Sequence, residues 1–235
     1  MNYLIVGSGG ALGQSLVDSL EDAGHVCFSA GRSQSPASNI TAESPESTQK
    51  IQVDLSEYES ISNAVREIRS TLPKLDGIVF ASGIATGSIV QMTRPTALAL
   101  LNQVNAIGPI QMANALMSHL NFGASLVFIS SVAAAFAQRG NAPYGASKLL
   151  LERLVQGLAT EVPKGAIRAH LLVLGPVQSE MFDSMNEKSA AEMVERSVSL
   201  QKTTPGSVAK TVMFLLSDKS DALVSAKVIV DAGYW

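Results

Sequence analysis

The sequence predicts a doubly wound α/β fold: one parallel sheet of seven strands, helices on both faces, in a single domain. Three observations predict it. Short apolar runs alternate with longer segments of helical period. The runs are near-continuous rather than alternating, as expected of strands buried on both faces. A glycine-rich turn follows the first run and opens the first helical segment.

Tyr3–Val6 reads as the first strand, with a helix over about 11–23 and a second strand at Val26–Ala30. Ser33–Gln49 is rich in Ser, Pro, Thr and Glu and nearly devoid of large apolar residues. It has no face to bury and reads as a mobile surface loop where a crossover helix would otherwise run. Ile51–Val53 is the third strand, followed by a helix over about 57–71 with Asp54 or Ser56 as its cap. Gly77–Phe80 is the fourth strand. Helices over about 94–104 and 109–120 come next, with Pro109 suited to a first turn. Ser125–Ile129, a helix over about 144–161 and Ala169–Val173 continue the alternation. Helical segments over about 184–200 and 206–217 precede the last strand, Lys227–Val230.

Composition narrows the function. The chain has 235 residues, 46% of them hydrophobic and 16% charged. That suits one domain with a large core. A net charge of −3 leaves no basic footprint, so nucleic acid is not an expected partner. The lone Cys27 excludes an internal disulfide and any cysteine-rich metal site. His25, His119 and His170 lie on separate elements without metal-ligand spacing, so no metal is expected. No stretch approaches the ~18 uninterrupted apolar residues of a membrane span. The first residues, MNYLIVGSGG, lack the basic region of a secretory signal, and the cytoplasm is the expected compartment.

The first strand runs into Gly7-Ser8-Gly9-Gly10-Ala11-Leu12-Gly13. Glycines permit a tight turn and let backbone approach a pyrophosphate, and the helix N-terminus behind them offers free N–H groups. The second strand ends at Ala30-Gly31-Arg32-Ser33, without the carboxylate that would accept bonds from a free ribose 2′-hydroxyl. The planar donors of Arg32, helped by Ser33, suit a 2′-phosphate, which favours NADP(H) over NAD(H). The competing reading of Arg32 is a solvated surface arginine. Asp54, followed by Leu55, ends the third strand, where it accepts from an adenine amino group, caps a helix, or both.

Tyr144 and Lys148 lie four residues apart, and Ser131 lies thirteen residues before the tyrosine. A Tyr-x-x-x-Lys pair is weak evidence by itself. With the glycine turn upstream, the chain resembles the short-chain dehydrogenase/reductase family over nearly its whole length. Asp54, Asn105, Ser131, Tyr144, Lys148 and the closing Val228-Ile229-Val230-Asp231-Ala232-Gly233 fall in family order. The resemblance implies a Rossmann-type sheet and hydride transfer between NADP(H) and a small carbonyl or alcohol. It implies that Tyr144 is the general acid/base, that Ser131 binds the reacting oxygen, and that Lys148 binds ribose and tunes Tyr144 by lowering its pKa. Asn105 would kink its helix and hold a water linking Lys148 to solvent; its other reading is a helix C-cap before Gly108-Pro109. The family's dinucleotide contacts fall here on the glycine turn, Ala81-Ser82-Gly83, Gly175, Val177 and Ser179. Residues of about 181–203 would cover the substrate, with Met181, Phe182 and Met185 as pocket walls or core. Leu149, Leu150 and Leu154 would contribute to a homodimer or homotetramer interface.

The sequence also departs from the family pattern. Ala11 stands at a usual glycine, and Phe80-Ala81-Ser82-Gly83 replaces the family's Asn-Asn-Ala-Gly. Leu174 replaces a proline, Ser179 a threonine, and Ala226 and Ala232 glycines. These departures leave a second reading open: an NADP-binding regulator or scaffold with little catalysis.

Overall fold

A computed structural model of the chain describes residues 1–32, 50–136, 139–179, 182, 191–192, 194–199 and 203–234. All seven expected strands are present: β1 (Asn2–Val6), β2 (Val26–Gly31), β3 (Lys50–Gln52), β4 (Leu75–Phe80), β5 (Leu120–Ser131), β6 (Ile167–Leu174) and β7 (Lys227–Val230). They form one sheet in the order β3-β2-β1-β4-β5-β6-β7, with every pair parallel. The order reverses between β1 and β4. That is the topological switch point, where the carboxyl ends of neighbouring strands open a crevice for a ligand.

Among the described residues the longer helices are α1 (Ala11–Asp22), α2 (Tyr58–Thr71), α3 (Pro95–Asn102), α4 (Gly108–Leu116), α5 (Ala142–Glu161) and α6 (Pro205–Leu216). Successive strand residues point to opposite faces and so feed two cores. Tyr3, Ile5, Val79, Val127, Ile129 and Leu172 pack under α1 and α6. Leu4, Val6, Ile78, Phe80, Phe128 and Leu171 pack under α2, α4 and α5. In the second core, the Phe80 and Phe128 rings stack 4.7 Å apart at 8°.

Several details differ from the sequence reading. The segments expected as helices 94–104 and 109–120 are joined. A π-helical turn, Gln103–Ile107, carries the chain from α3 into α4 without a break. The cause is local. Pro109 has no N–H to offer the Asn105 carbonyl four residues back, and the wider turn absorbs the mismatch. Gly108 is helical at φ −58° and ψ −49°, so Asn105 does not cap a helix end. Neither Asp54 nor Ser56 caps α2. Glu57 occupies that position without a side-chain bond, while Asp54 Oδ1 accepts from the Ser56 amide and hydroxyl in a local turn. β5 extends well beyond Ser125–Ile129, so Ser131 stands at its last position. Ser33, Met181, Met185 and the loop Ser33–Gln49 lie outside the described residues, as does most of the segment 181–203. No helix among the described residues is long and apolar enough to cross a membrane.

Candidate active site

The glycine turn is held by close approach. Gly7 has φ +97°, and a Cβ there would fall 2.6 Å from the Ser82 nitrogen. A Cβ on Gly13 would collide with the Gly7 carbonyl oxygen. These two glycines let β1, α1 and the turn after β4 meet. Gly9, by contrast, has open space around it, and Gly10 starts α1 with no side chain on the first amides. Ala11 is exposed in the first helical turn. Ala232 (φ 59°) is the only non-glycine residue of positive φ among those described, so alanine fits at position 11 without strain. The amides of Gly7, Ser8 and Gly10 are bonded within the fold, and the turn opens a helix N-terminus with no acidic residue in its first turn, an arrangement that fits a dinucleotide pyrophosphate.

Arg32 is exposed just beyond β2. Its charge reaches Asp54. Burial acts to raise the Asp54 pKa, but the Ser56 bonds and then Arg32 prevail, and the carboxyl sits below its usual range. Leu55 is in the core, and its carbonyl accepts from Gln103 Nε2 at 3.1 Å. The turn after β4 braces the glycine turn: Ala81 donates its N–H to the Val6 carbonyl at 2.8 Å, and the Ser82 hydroxyl donates to the same oxygen at 3.3 Å. Across the sheet, Gly175 donates to the Val230 carbonyl and packs on Asp231. Val177 pairs with Thr203, and the Ser179 hydroxyl donates to the Val177 carbonyl.

Asn105, Ser131, Tyr144 and Lys148 come together at the ends of β4 and β5. Gly145 makes this possible. A Cβ there would strike the Ala133 carbonyl oxygen, so only glycine lets the start of α5 seat on the short turn Val132–Ala134 that follows Ser131. The Ser131 hydroxyl is thereby brought beside the Tyr144 phenol, close enough to act on its ionisation. Lys148 lies one helical turn further on, 3% exposed, and its Nζ donates to the Ile129 carbonyl at 2.9 Å. Gly83 leaves room beside that ammonium, since a Cβ would sit 3.3 Å from Lys148 Nζ and 3.3 Å from Asn105 Oδ1. The Asn105 side chain is fully engaged. It accepts from the Ile84 N–H and donates to the Ile84 carbonyl, both at 2.8 Å, and donates to the Ser147 hydroxyl at 2.9 Å.

Burial dominates the electrostatics of the site. Burial raises the Tyr144 pKa above the ordinary phenol value, and the Ser131 hydroxyl offsets only part of that rise. Burial lowers the Lys148 pKa to about 8. The Lys148 ammonium stands 6.0 Å from the Tyr144 ring centre and is tied to Ile129. At neutral pH Tyr144 holds its proton.

A family model described as enoyl-(acyl carrier protein) reductase matches residues 9–235. The chain belongs to the short-chain dehydrogenase/reductase family. It is 31% identical over 182 residues to carbonyl reductase family member 4 of Xenopus tropicalis, covering 77% of this chain and 75% of that protein. It is 26% identical over 189 residues to the NADH-using enoyl-[acyl-carrier-protein] reductase of Haemophilus influenzae, covering 77% and 72%. Its fold matches a short chain dehydrogenase family protein from Francisella tularensis, with TM-score 0.87, 24% identity and coverage of 99% and 98%.

A short-chain dehydrogenase/reductase uses a nicotinamide cofactor, and the open glycine turn fits one. Several site residues escaped sequence reasoning. Ser147 and Ile84 hold Asn105, and Ser130 and Glu152 join β5 to α5. Glu152 had a readable signal, since it follows Tyr144 and Lys148 at the same four-residue step. Tyr234 had none. It is buried against Val132 and Val173, with its ring centre 6.3 Å from that of Phe136.

Proposed function

We propose that this short-chain dehydrogenase/reductase is an NADP(H)-dependent enzyme that reduces a small carbonyl compound. The observation that carries the reading is the meeting of the Ser131 hydroxyl, the Tyr144 phenol and the Lys148 ammonium beside Gly83. A bound nicotinamide supplies the hydride. Tyr144, kept protonated by burial, donates a proton to the carbonyl oxygen as it gains charge. Ser131 hydrogen-bonds the same oxygen and stabilises that charge. Lys148 binds the ribose hydroxyls, its ammonium steered by the Ile129 carbonyl. With its side chain spent on Ile84 and Ser147, Asn105 has its carbonyl left, to which Pro109, at the fourth position, has no N–H to give. That carbonyl holds a water that returns the proton through Lys148.

Gly7, Ser8, Gly10, Ala11, Leu12 and Gly13 hold the pyrophosphate. Arg32 takes the 2′-phosphate and Asp54 the adenine. Ala81 to Gly83, Gly175, Val177 and Ser179 flank the rest. The relative named a carbonyl reductase supports the substrate class. Leu98, Leu100 and Leu149, 40%, 45% and 54% exposed, support association through the α3 and α5 faces; Leu150 and Leu154 pack partly into the core. The test is a panel of aldehydes, ketones and 3-oxoacyl thioesters, each mixed with NADPH and, separately, NADH. Loss of NADPH absorbance in at least one mixture is expected. Tight NADPH binding with no turnover across the panel would replace this reading with that of a cofactor-binding regulator.

A further inference from the structure

We propose that Glu152 is a positioning residue of this site, holding the end of β5 and the helix α5 in the one register that brings Ser131 to Tyr144. The proposal rests on the functional reading above, but no family motif cited for that reading includes Glu152. Three consecutive residues of β5 are each tied to α5 by a polar contact. The Ile129 carbonyl accepts from Lys148 Nζ at 2.9 Å, the Ser130 hydroxyl donates to Glu152 Oε1 at 2.8 Å, and the Ser131 hydroxyl meets the Tyr144 phenol. On the helix side these are residues 144, 148 and 152, three positions two four-residue steps apart down one face. Glu152 is 4% exposed. A carboxylate at that depth needs a counter-charge, and Lys227 at the start of β7 donates to Oε2 at 2.6 Å. The Lys227 side chain is 41% exposed, so the ammonium stays hydrated while it closes the outer end of the ladder. Directional bonds at both carboxylate oxygens fix the helix along its axis, which apolar packing of Leu151 and Val155 alone does not do.

The experiment compares wild type, Glu152→Gln, Glu152→Ala and Lys227→Met, with Tyr144→Phe to assign the tyrosine signal. The Tyr144 titration is followed by NMR of carbon-labelled tyrosine, which needs no substrate. Turnover and NADPH affinity are measured alongside. Glu152→Ala is expected to move the Tyr144 midpoint upward, because the acidifying contact with Ser131 loosens. It is also expected to lower kcat at least tenfold while NADPH Kd stays within twofold. Glu152→Gln, whose Oε1 still accepts from Ser130, is expected to keep the wild-type midpoint and kcat within threefold. Should Glu152→Ala not fold, Lys227→Met, which frees the outer oxygen, is expected to show the same upward shift in smaller measure. An unmoved midpoint with unchanged kcat in Glu152→Ala, or in Lys227→Met if it stands in, overturns the proposal. So does equal loss in Glu152→Gln and Glu152→Ala. Absence of turnover in wild type would reject only the functional reading, since the midpoints still decide the role of Glu152.

Discussion

Replacing Gly145 by alanine perturbs the site through one methyl group. Its Cβ would point at the Ala133 carbonyl, striking the oxygen and lying 3.1 Å from the carbon. Both atoms belong to the backbone of the turn that follows Ser131, so no side chain can swing aside. Restoring a carbon–oxygen contact of about 3.3 Å requires α5 and the turn to part by roughly 1 Å. That opening would part the Ser131 hydroxyl from the Tyr144 phenol, and a misplacement of about 1 Å at a reacting group is worth about 100-fold in rate. Overpacking costs about 1–3 kcal/mol, of which alanine's better helix propensity returns up to about 1 kcal/mol. The expected variant is folded, with Tm lowered by only a few degrees and turnover down about 100-fold. Circular dichroism melts and initial rates at saturating NADPH measure both quantities. Wild-type turnover in Gly145→Ala would refute the claim that this contact sets the Ser131–Tyr144 geometry.

Two further predictions concern cofactor choice and acid stability. Arg32→Ala is expected to weaken NADPH binding about tenfold, the low end for a charge-assisted bond at an exposed site, and to leave NADH within twofold; fluorescence titration with both cofactors measures this. His170 is fully buried, with Nδ1 near the Ala226 N–H and no partner for Nε2. Burial, then the Arg168 charge, lowers its pKa to about 4. The unfolded chain takes up this proton near pH 6.5 and the folded chain near 4, so stability falls as pH drops through that window, by about 3 kcal/mol in all. In urea titrations at pH 7 and pH 4.5, wild type is expected to lose about 2 kcal/mol more than His170→Asn; equal losses would contradict the assignment.

The strands were legible because their signal is local. Apolar runs such as Tyr3–Val6 and Ala169–Val173 contain their own evidence of burial. The continuity of α3 and α4 was not, since Gly108-Pro109 reads as a break. In the structure a Cβ on Gly108 would come 2.6 Å from the Leu55 carbonyl oxygen, so this glycine serves close packing rather than a helix end. Motif spacing named Ser131, Tyr144 and Lys148 as candidates, but the surroundings of their polar atoms come from residues distant in sequence. Four residues of separation place Lys148 near Tyr144, yet the ammonium's direction depends on the Ile129 carbonyl from another strand. The family's Asn-Asn pair after β4 is missing from this chain. The Ser82 hydroxyl on the Val6 carbonyl and the Asn105 amide on Ile84 supply bonds there that a linear motif does not reveal.

The central claim is that the Tyr144 phenol delivers the proton that completes carbonyl reduction. Its most direct test is Tyr144→Phe, which removes one oxygen and keeps the ring. With a substrate from the carbonyl panel, the account predicts a fall in NADPH oxidation of about 100-fold or more, with NADPH Kd within twofold of wild type. Turnover in Tyr144→Phe close to the wild-type rate would contradict it.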